Sequence, residues 1–257
     1  MVWIQKGSLW GMTGRAQVIT LIGAGGKTTS LGCLAKEISS YGELVLLTTT
    51  TKVYPFEGLA SWHSSEDSPP SEFSYPCFWY VTNDLKSGKW IGPSTEAVER
   101  EIRAEKQNVG PNLVKRNWVI EGDGAREHKL KCWAEYEPQI PHSSVSVVLI
   151  IDNGLWGKTL NSGDVHRQEC CEDIIGKEWC GQSFQRYLEQ SPVFYPKYRH
   201  ISWVVLFNEN SRAGTPSESV QLEELANRDY RKDSRPTHLR IASGDVKVGE
   251  IRWLDLW

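Results

Sequence analysis

The sequence predicts an α/β fold with a mostly parallel central sheet and helices on both faces. Three observations carry that expectation. Runs of β-branched residues and leucine without alternation, Val18 to Ile22 and Val145 to Ile151 foremost, read as strands buried on both sides. Stretches with apolar residues at helical spacing lie between such runs. The 257 residues are 39% hydrophobic and 24% charged, enough apolar chain to bury one large core.

Taken in order, Met1 to Arg15 reads as an irregular lead-in or a short helix, and Val18 to Ile22 as the first strand. Thr28 to Ser40 reads as a helix with Leu31, Leu34, Ala35 and Ile38 on one face, ended by Gly42. Leu44 to Leu47 is a second strand, so the three elements form a right-handed βαβ unit. Residues 55–76 contain SSEDSPPSEFSYP and read as a loop insertion. Cys77 to Val81 and Lys89 to Gly92 read as short strands, and Thr95 to Gln107 as a charged surface helix capped by Ser94. Trp118 to Ile120 is a strand ending on Glu121, and Val145 to Ile151 one ending on Asp152. Gln168 to Glu178 and Gln182 to Gln190 read as helical, and Val204 to Phe207 as a buried strand. Val220 to Asn227 reads as a helix, with Thr237 to Ile241 and Val248 to Trp253 as closing strands. Residues 1–257 thus read as one domain, with residue 143 as the one candidate subdomain boundary.

The formal net charge is −3 and no long Lys/Arg run appears, so nucleic acid is not an expected partner. Met1 to Gly14 lacks a secretory pattern, and no apolar run reaches the ~18 residues of a membrane span. The expected compartment is the cytoplasm. The six cysteines follow no regular disulfide spacing and read as buried or free thiols. His166, Cys170, Cys171 and Cys180 invite a zinc reading, but paired Cys-x-x-Cys spacing is missing. The twelve tryptophans read as core packing and half-buried edges.

The chemistry centres on VITLIGAGGKTTS. A buried strand delivers the chain to a glycine turn that opens a helix. Gly23, Ala24, Gly25 and Gly26 leave room for phosphate oxygens, and the helix start offers unpaired amides and a positive dipole end. Lys27 can place a cation on the β- and γ-phosphates, and Thr28 can ligate Mg²⁺, with Thr29 beside it. The usual pattern sets a first glycine six residues before the lysine; here Leu21 holds that place and the loop is shorter. Its Gly-x-x-Gly-Lys-Thr-Thr form resembles the ATP loop of Mur-type ligases. The expected class is therefore a P-loop NTPase-like three-layer fold that binds ATP or GTP with Mg²⁺.

Thr48 to Thr51 and Lys52 follow the second strand, where Thr50 can bind phosphate or water and Lys52 can add charge. WVIEGDGAR puts Glu121 at a strand end and Asp123 two residues on, either of them a candidate metal carboxylate. Arg126 can clamp a phosphate or developing charge. Asp152 positions a ligand or caps the next turn. His166 can act as acid, base or ligand, beside Arg167. Lys27, Asp123, Arg126, His166 and Arg167 form the candidate catalytic set. At FNEN, Asn208 matches a guanine-reading Asn-Lys-x-Asp element, but Glu209 and Asn210 replace the lysine and the acid, leaving the base unassigned.

In combination these elements resemble the YqeC family, described as accessory proteins of selenium-dependent molybdenum hydroxylases. Gly23 through Thr28 and Thr49 through Lys52 match its Gly-Ala-Gly-Gly-Lys-Thr and Thr-Thr-Thr-Lys elements. Glu121 through Arg126 resembles its Glu-x-Asp-Gly-Ala-(Arg/Lys) element. Leu130-Lys131, Glu137 through Pro141 and Val165-His166-Arg167 match later ones, with Tyr136 where the family has histidine. The resemblance covers roughly residues 15 to 210. It implies a nucleotide-linked role in enzyme maturation, with an apoenzyme or cofactor-maturation protein as partner. The residues also leave open an ATP-dependent small-molecule kinase or ligase, and a nucleotide-regulated interaction protein; the sequence leaves the oligomeric state undetermined.

Overall fold

The computed structural model describes residues 3–56, 58–63, 76–107, 115–209, 222–230 and 233–257. The lead-in forms β1 (Gln5–Gly7) and one turn of helix, α1 (Leu9–Met12), whose first turn is capped by the Ser8 hydroxyl. β2 (Val18–Gly23) is buried at every position, as an unalternating apolar run requires. α2 (Lys27–Ser40) buries the predicted Leu31, Leu34, Ala35 and Ile38 face. β3 (Val45–Thr49) carries Thr48 and Thr49 into the sheet.

β4 (Lys52–Val53) leaves the main sheet, and β5 (Ala60–His63) returns to its edge. That edge strand corrects the expected loop over residues 55–76. It pairs parallel to β6 (Cys77–Tyr80), with Trp62 opposite Trp79 and their rings 5.4 Å apart. The aromatic cross-strand pair supplies the burial that a Ser/Pro-rich composition conceals. Residues 57 and 64–75 of that expectation lie outside the described residues. β7 (Thr82–Asp84) and β8 (Lys89–Ile91) join β4 in a small antiparallel sheet. α3 (Thr95–Gln107) has the predicted extent, and its start is capped by Ser94, whose hydroxyl accepts the Ala97 N–H at 3.2 Å.

β9 (Asn117–Glu121) precedes a two-residue strand, β10 (Leu130–Lys131). β11 (Ser146–Asp152) is buried from Ser146 to Ile151, and β12 (Val165–His166) pairs parallel with β10. Gln168 to Glu178 is not the expected helix but two 3₁₀ turns, Gln168–Cys170 and Glu172–Ile174. Cys171 between them has φ −155° and ψ 47°, outside the helical region, which breaks the run, and it is bonded to Cys132, with Cα atoms 6.1 Å apart. α4 (Gly181–Gln190), β13 (Ser202–Asn208), α5 (Leu222–Ala226), β14 (His238–Asp245) and β15 (Glu250–Asp255) complete the chain. Residues 220 and 221 of the expected Val220 to Asn227 helix lie outside the described residues.

The main sheet has ten strands in the order β1-β15-β14-β13-β11-β2-β9-β3-β6-β5. Every pairing from β14 to β5 is parallel, and only the β15 edge is antiparallel. This is an α/β fold with a mixed, mostly parallel sheet. α1 and α2 cover one face over Ile19, Leu21, Val148 and Ile150. α3 covers Val18, Trp118 and Ile120 on the other, and α4, α5 and the 3₁₀ segments cover Ile22, Leu149 and Trp203. Most of the tryptophans are buried, with Trp118, Trp179 and Trp203 wholly so, in keeping with the packing expectation. No described helix is long and apolar enough to cross a membrane.

From β2 the chain crosses through α2 to β3 on one side, while β11 lies on the other. The C-terminal ends of β9, β2, β11 and β13 therefore open on one rim, where α/β sheets bind ligands. Strands from both sides of residue 143, β9 and β11, flank β2.

Gly23 and Gly42 both have positive φ, +94° and +79°, but only Gly23 is crowded: a Cβ there would lie 2.3 Å from the Ile150 carbonyl oxygen. Gly42→Ala should lose only the left-handed backbone penalty, about 1 to 2 kcal/mol. Gly23→Ala should lose clearly more, since β2 and β11 must separate. Urea unfolding of the two variants measures the difference, and equal losses would contradict the close approach.

Candidate functional site

The loop from Gly23 to Gly26 is pinned from three sides. Gly25 has φ +86°, and a Cβ there would lie 2.5 Å from the Asp152 amide nitrogen, so only glycine lets the loop press against the end of β11. The Ala24 N–H donates to the Ile150 carbonyl at 2.9 Å. The Asn208 side-chain amide donates to the Gly25 carbonyl at 2.8 Å and accepts the Val246 N–H at 3.3 Å. Asn208 is thus placed to hold the loop at the end of β13; Asn210 lies outside the described residues.

α2 then begins with Gly26 as its N-cap and no side-chain capping bond. Its first-turn amides have no partner inside the helix, and the positive end of its dipole points out of it. They border a cavity of about 780 Å³ lined by Ala24 and the loop through Thr29, and also by Lys52, Glu121, Arg126, His166 and Arg167. One open space therefore brings together most of the residues singled out in the sequence.

Gly23, Thr50 and Asp123 stand apart, outside the lining. The Gly23 N–H is taken by Asp123, at 3.0 and 3.2 Å to the two carboxylate oxygens, so that amide is not free for an anion. Thr50 donates to the Gln139 and Glu121 carbonyls, which ties its hydroxyl hydrogen to the backbone. Lys52 reaches the cavity but pairs with Asp84 at 2.8 Å. Asp152 lines the wall and caps the following turn, accepting the Gly154 N–H at 2.7 Å.

The two carboxylates of the Glu-Gly-Asp segment have opposite roles. Asp123 is completely buried and saturated. Besides the Gly23 N–H it receives the Trp133 indole N–H at 2.8 Å and faces the ammonium groups of Lys27 at 3.2 Å and Lys131 at 3.7 Å. It holds the site together from beneath. Glu121 lines the cavity, is buried, and has one carboxylate oxygen, Oε2, without a hydrogen-bond partner. Burial pushes its carboxyl up from 4.5 to about 7 despite Lys27, with Asp123 adding to the rise and Lys89 and a hydrogen bond from Thr28 opposing it. Lys27 itself is turned back, its ammonium donating to the Gly23 carbonyl at 2.5 Å.

The opposite wall is built from segments brought together by β10 and β12. In that parallel ribbon Lys131 lies beside His166. Lys131 is wholly buried, and Glu137 bridges it to Arg167, at 3.0 and 2.6 Å. The Tyr136 hydroxyl also accepts from Arg167, at 2.5 Å. Burial, together with Lys131, Arg167 and His128, pushes His166 down to about 4, so its imidazole is neutral at pH 7. The Cys132–Cys171 bond staples the ribbon to the segment that follows it. This bridge corrects the free-thiol reading for Cys132 and Cys171, while Cys33, Cys77, Cys170 and Cys180 are free thiols as expected, and it removes Cys171 from the zinc reading; no group of three or more metal-suited side chains occurs among the described residues.

Sequence reasoning named Lys131 and Glu137 only as parts of a resemblance, and missed Trp133, His128 and the bridge altogether. No spacing rule links residues 123, 131, 137 and 167; the fold does. The one available signal was the density of charged residues between Glu121 and Glu137, within a stretch that buries three of them.

A family model described as YqeC protein matches residues 19–169. A curated relative, the uncharacterized protein YqeC of Escherichia coli (strain K12), is 32% identical over 174 residues, covering 63% of this chain and 62% of the relative. The match therefore spans less than two thirds of that relative's length. No solved structure matches the chain. The family segment includes the glycine-rich loop, Glu121, Asp123 and the β10–β12 ribbon, but not Asn208.

Glu121 should make stability pH-dependent with a definite sign. The folded chain keeps a proton that the unfolded chain releases, so stability is lost as pH climbs from about 4.5 to about 7 and levels off above. Between pH 5 and 8 wild type should lose roughly 2 to 3 kcal/mol relative to Glu121→Gln in urea unfolding; parallel pH profiles would refute it. Asp123→Ala takes the ion-pair partner from the buried Lys27, while Lys131 keeps Glu137, and should cost about 3 to 5 kcal/mol by the same measurement.

Proposed function

The chain belongs to the YqeC family, and we propose that it binds a nucleoside triphosphate, ATP or GTP, with Mg²⁺, as a P-loop NTPase-like protein. The reading is carried by Glu121, a buried carboxylate with an unpartnered oxygen at the mouth of the glycine-rich loop, beside Thr28. A divalent cation between carboxylate and hydroxyl would satisfy that oxygen. The donor set, hard oxygens with few protein ligands, suits Mg²⁺, which keeps several waters and shares phosphate oxygens. Bound there, the ion would offset phosphate charge.

The residues of the chain supply the rest. The first-turn amides of α2 and its dipole hold the phosphates. Lys27, released from the Gly23 carbonyl, would turn its ammonium toward them, and Thr29 adds a hydroxyl. Because Asp123 is already saturated by four donors, Glu121 takes the metal role among the two candidate carboxylates. Slow hydrolysis is the expected activity of this reading. The wider role, as an accessory factor in maturation of a molybdenum- or selenium-dependent hydroxylase, follows from the family resemblance. A second reading, an ATP-dependent small-molecule kinase or ligase, is favoured by the Arg126, His166 and Arg167 wall of the same cavity.

Calorimetry with ATP and GTP, with and without Mg²⁺, tests the proposal. Wild type should bind at least one of them in Mg²⁺. Thr28 is exposed, so Thr28→Ala should fold normally and weaken binding by about tenfold only when Mg²⁺ is present. A folded wild-type chain that binds neither nucleotide would end the reading.

A further inference from the structure

Backbone strain is concentrated on one wall of the cavity. Five described non-glycine residues have positive φ: Arg15, Arg126, Glu127, Arg167 and Ser234. Three of them, Arg126 at +47°, Glu127 at +65° and Arg167 at +60°, line the cavity opposite the glycine-rich loop. Each such residue costs about 1 to 2 kcal/mol, and such residues gather where geometry serves a ligand. Two of the three are arginines, and they differ in how they are held. Arg167 is fixed by Glu137 and Tyr136. Arg126 is exposed and, among the described residues, no hydrogen bond or ion pair holds its guanidinium. Its turn is fixed instead through the backbone, with His128 Nδ1 within 3.0 Å of both the Ala125 and Arg126 carbonyls. A rigid stem with a free, forked cation at its tip is a receptor for a planar or tetrahedral anion.

His166 lies on the same wall, its ring 5.4 Å from that of His128. Burial and its cationic neighbours Lys131 and Arg167 keep the ring neutral, so a ring nitrogen is open to accept a hydrogen bond from a hydroxyl. A carboxylate nucleophile needs no such acceptor; a hydroxyl does. The same open space of about 780 Å³ runs from the glycine-rich loop to this wall, so a group bound at Arg126 faces the loop across one cavity.

We infer that this wall is an acceptor subsite for a small hydroxylated acid, whose carboxylate or phosphate is bound by Arg126 and whose hydroxyl faces His166. The inference rests on the nucleotide reading above and deepens it to phosphotransfer. The acceptor oxygen forms a bond to the terminal phosphorus. The bond from that phosphorus to the bridging oxygen breaks, and the nucleoside diphosphate leaves with its electron pair. The hydroxyl donates a hydrogen bond to a ring nitrogen of the neutral His166, which orients it, and its proton passes to an oxygen of the transferred phosphoryl group. Arg167, held by Glu137, positions the His166 strand rather than touching the acceptor.

Two probes separate the anion types: glycerate carries a carboxylate and a hydroxyl, glycerol 3-phosphate a phosphate and a hydroxyl. Their binding is measured by calorimetry on the full chain, nucleotide-free and saturated with a nonhydrolysable nucleotide analogue, with thermal unfolding of each variant as the control for folding. At least one probe should bind wild type, and Arg126→Ala should weaken it by about tenfold or more. With Mg²⁺ and ATP, phosphorus NMR should record a phosphoester of the bound probe. His166→Ala should slow that transfer by roughly a hundredfold at unchanged probe affinity, a split that a structural role would not produce. Binding of neither probe, equal affinity in Arg126→Ala, or unchanged transfer in His166→Ala overturns the inference. If nucleotide binding itself fails, the nucleotide reading falls with it, whereas Arg126-dependent probe binding to the nucleotide-free chain still marks the subsite.

Discussion

One buried carboxylate, Asp123, organises everything around the cavity. An ionised group with no exposure to water survives only if its lone pairs are filled and its charge is balanced. Asp123 achieves this by drawing on three separate segments: the end of β2 through the Gly23 N–H, the start of α2 through Lys27, and the end of β10 and its continuation through Lys131 and Trp133. Each donor is fixed by the others. The position of the glycine-rich loop relative to the β10–β12 ribbon is therefore set by electrostatic closure beneath the cavity, in a sheet whose apolar packing would tolerate small shifts.

The charge balance continues outward. Lys131 serves Asp123 on one side and Glu137 on the other, and Glu137 in turn holds Arg167. The chain of alternating charges runs from the interior to the solvent-facing wall. It ends on a paired arginine, beside which Arg126 stands unpaired. Glu121, only two residues from Asp123, is excluded from this chain and is left partly unsatisfied at the rim. The contrast between a saturated acid and an unsaturated one gives the site its polarity.

Much of this was legible in the sequence where the signal was local. The β2–glycine turn–α2 unit and the extents of α3 and β11 follow from periodicity, capping and apolar runs within a few residues of each other. So does the presence of Glu121 at a strand end. What could not be read depends on partners far along the chain. β5 is a strand because Trp62 meets Trp79 across the sheet, although the sequence between is Ser- and Pro-rich. Residues 168–178 hold two 3₁₀ turns about a non-helical Cys171, whose bonding partner, Cys132, lies 39 residues away. Glu121 and Asp123 look interchangeable as neighbours on a chain. They part only because a glycine amide 100 residues earlier is folded over the second of them.

The Asn208 side chain grips the Gly25 carbonyl with its nitrogen and the Val246 amide with its oxygen. A single planar group cannot rotate to follow one of these without disturbing the other. Movement of the loop is consequently geared to the turn between β14 and β15, on a part of the chain beyond the family segment. Asp245, Val246 and Lys247 of that turn also line the cavity, so the wall that faces the loop is tied to the group that steadies it.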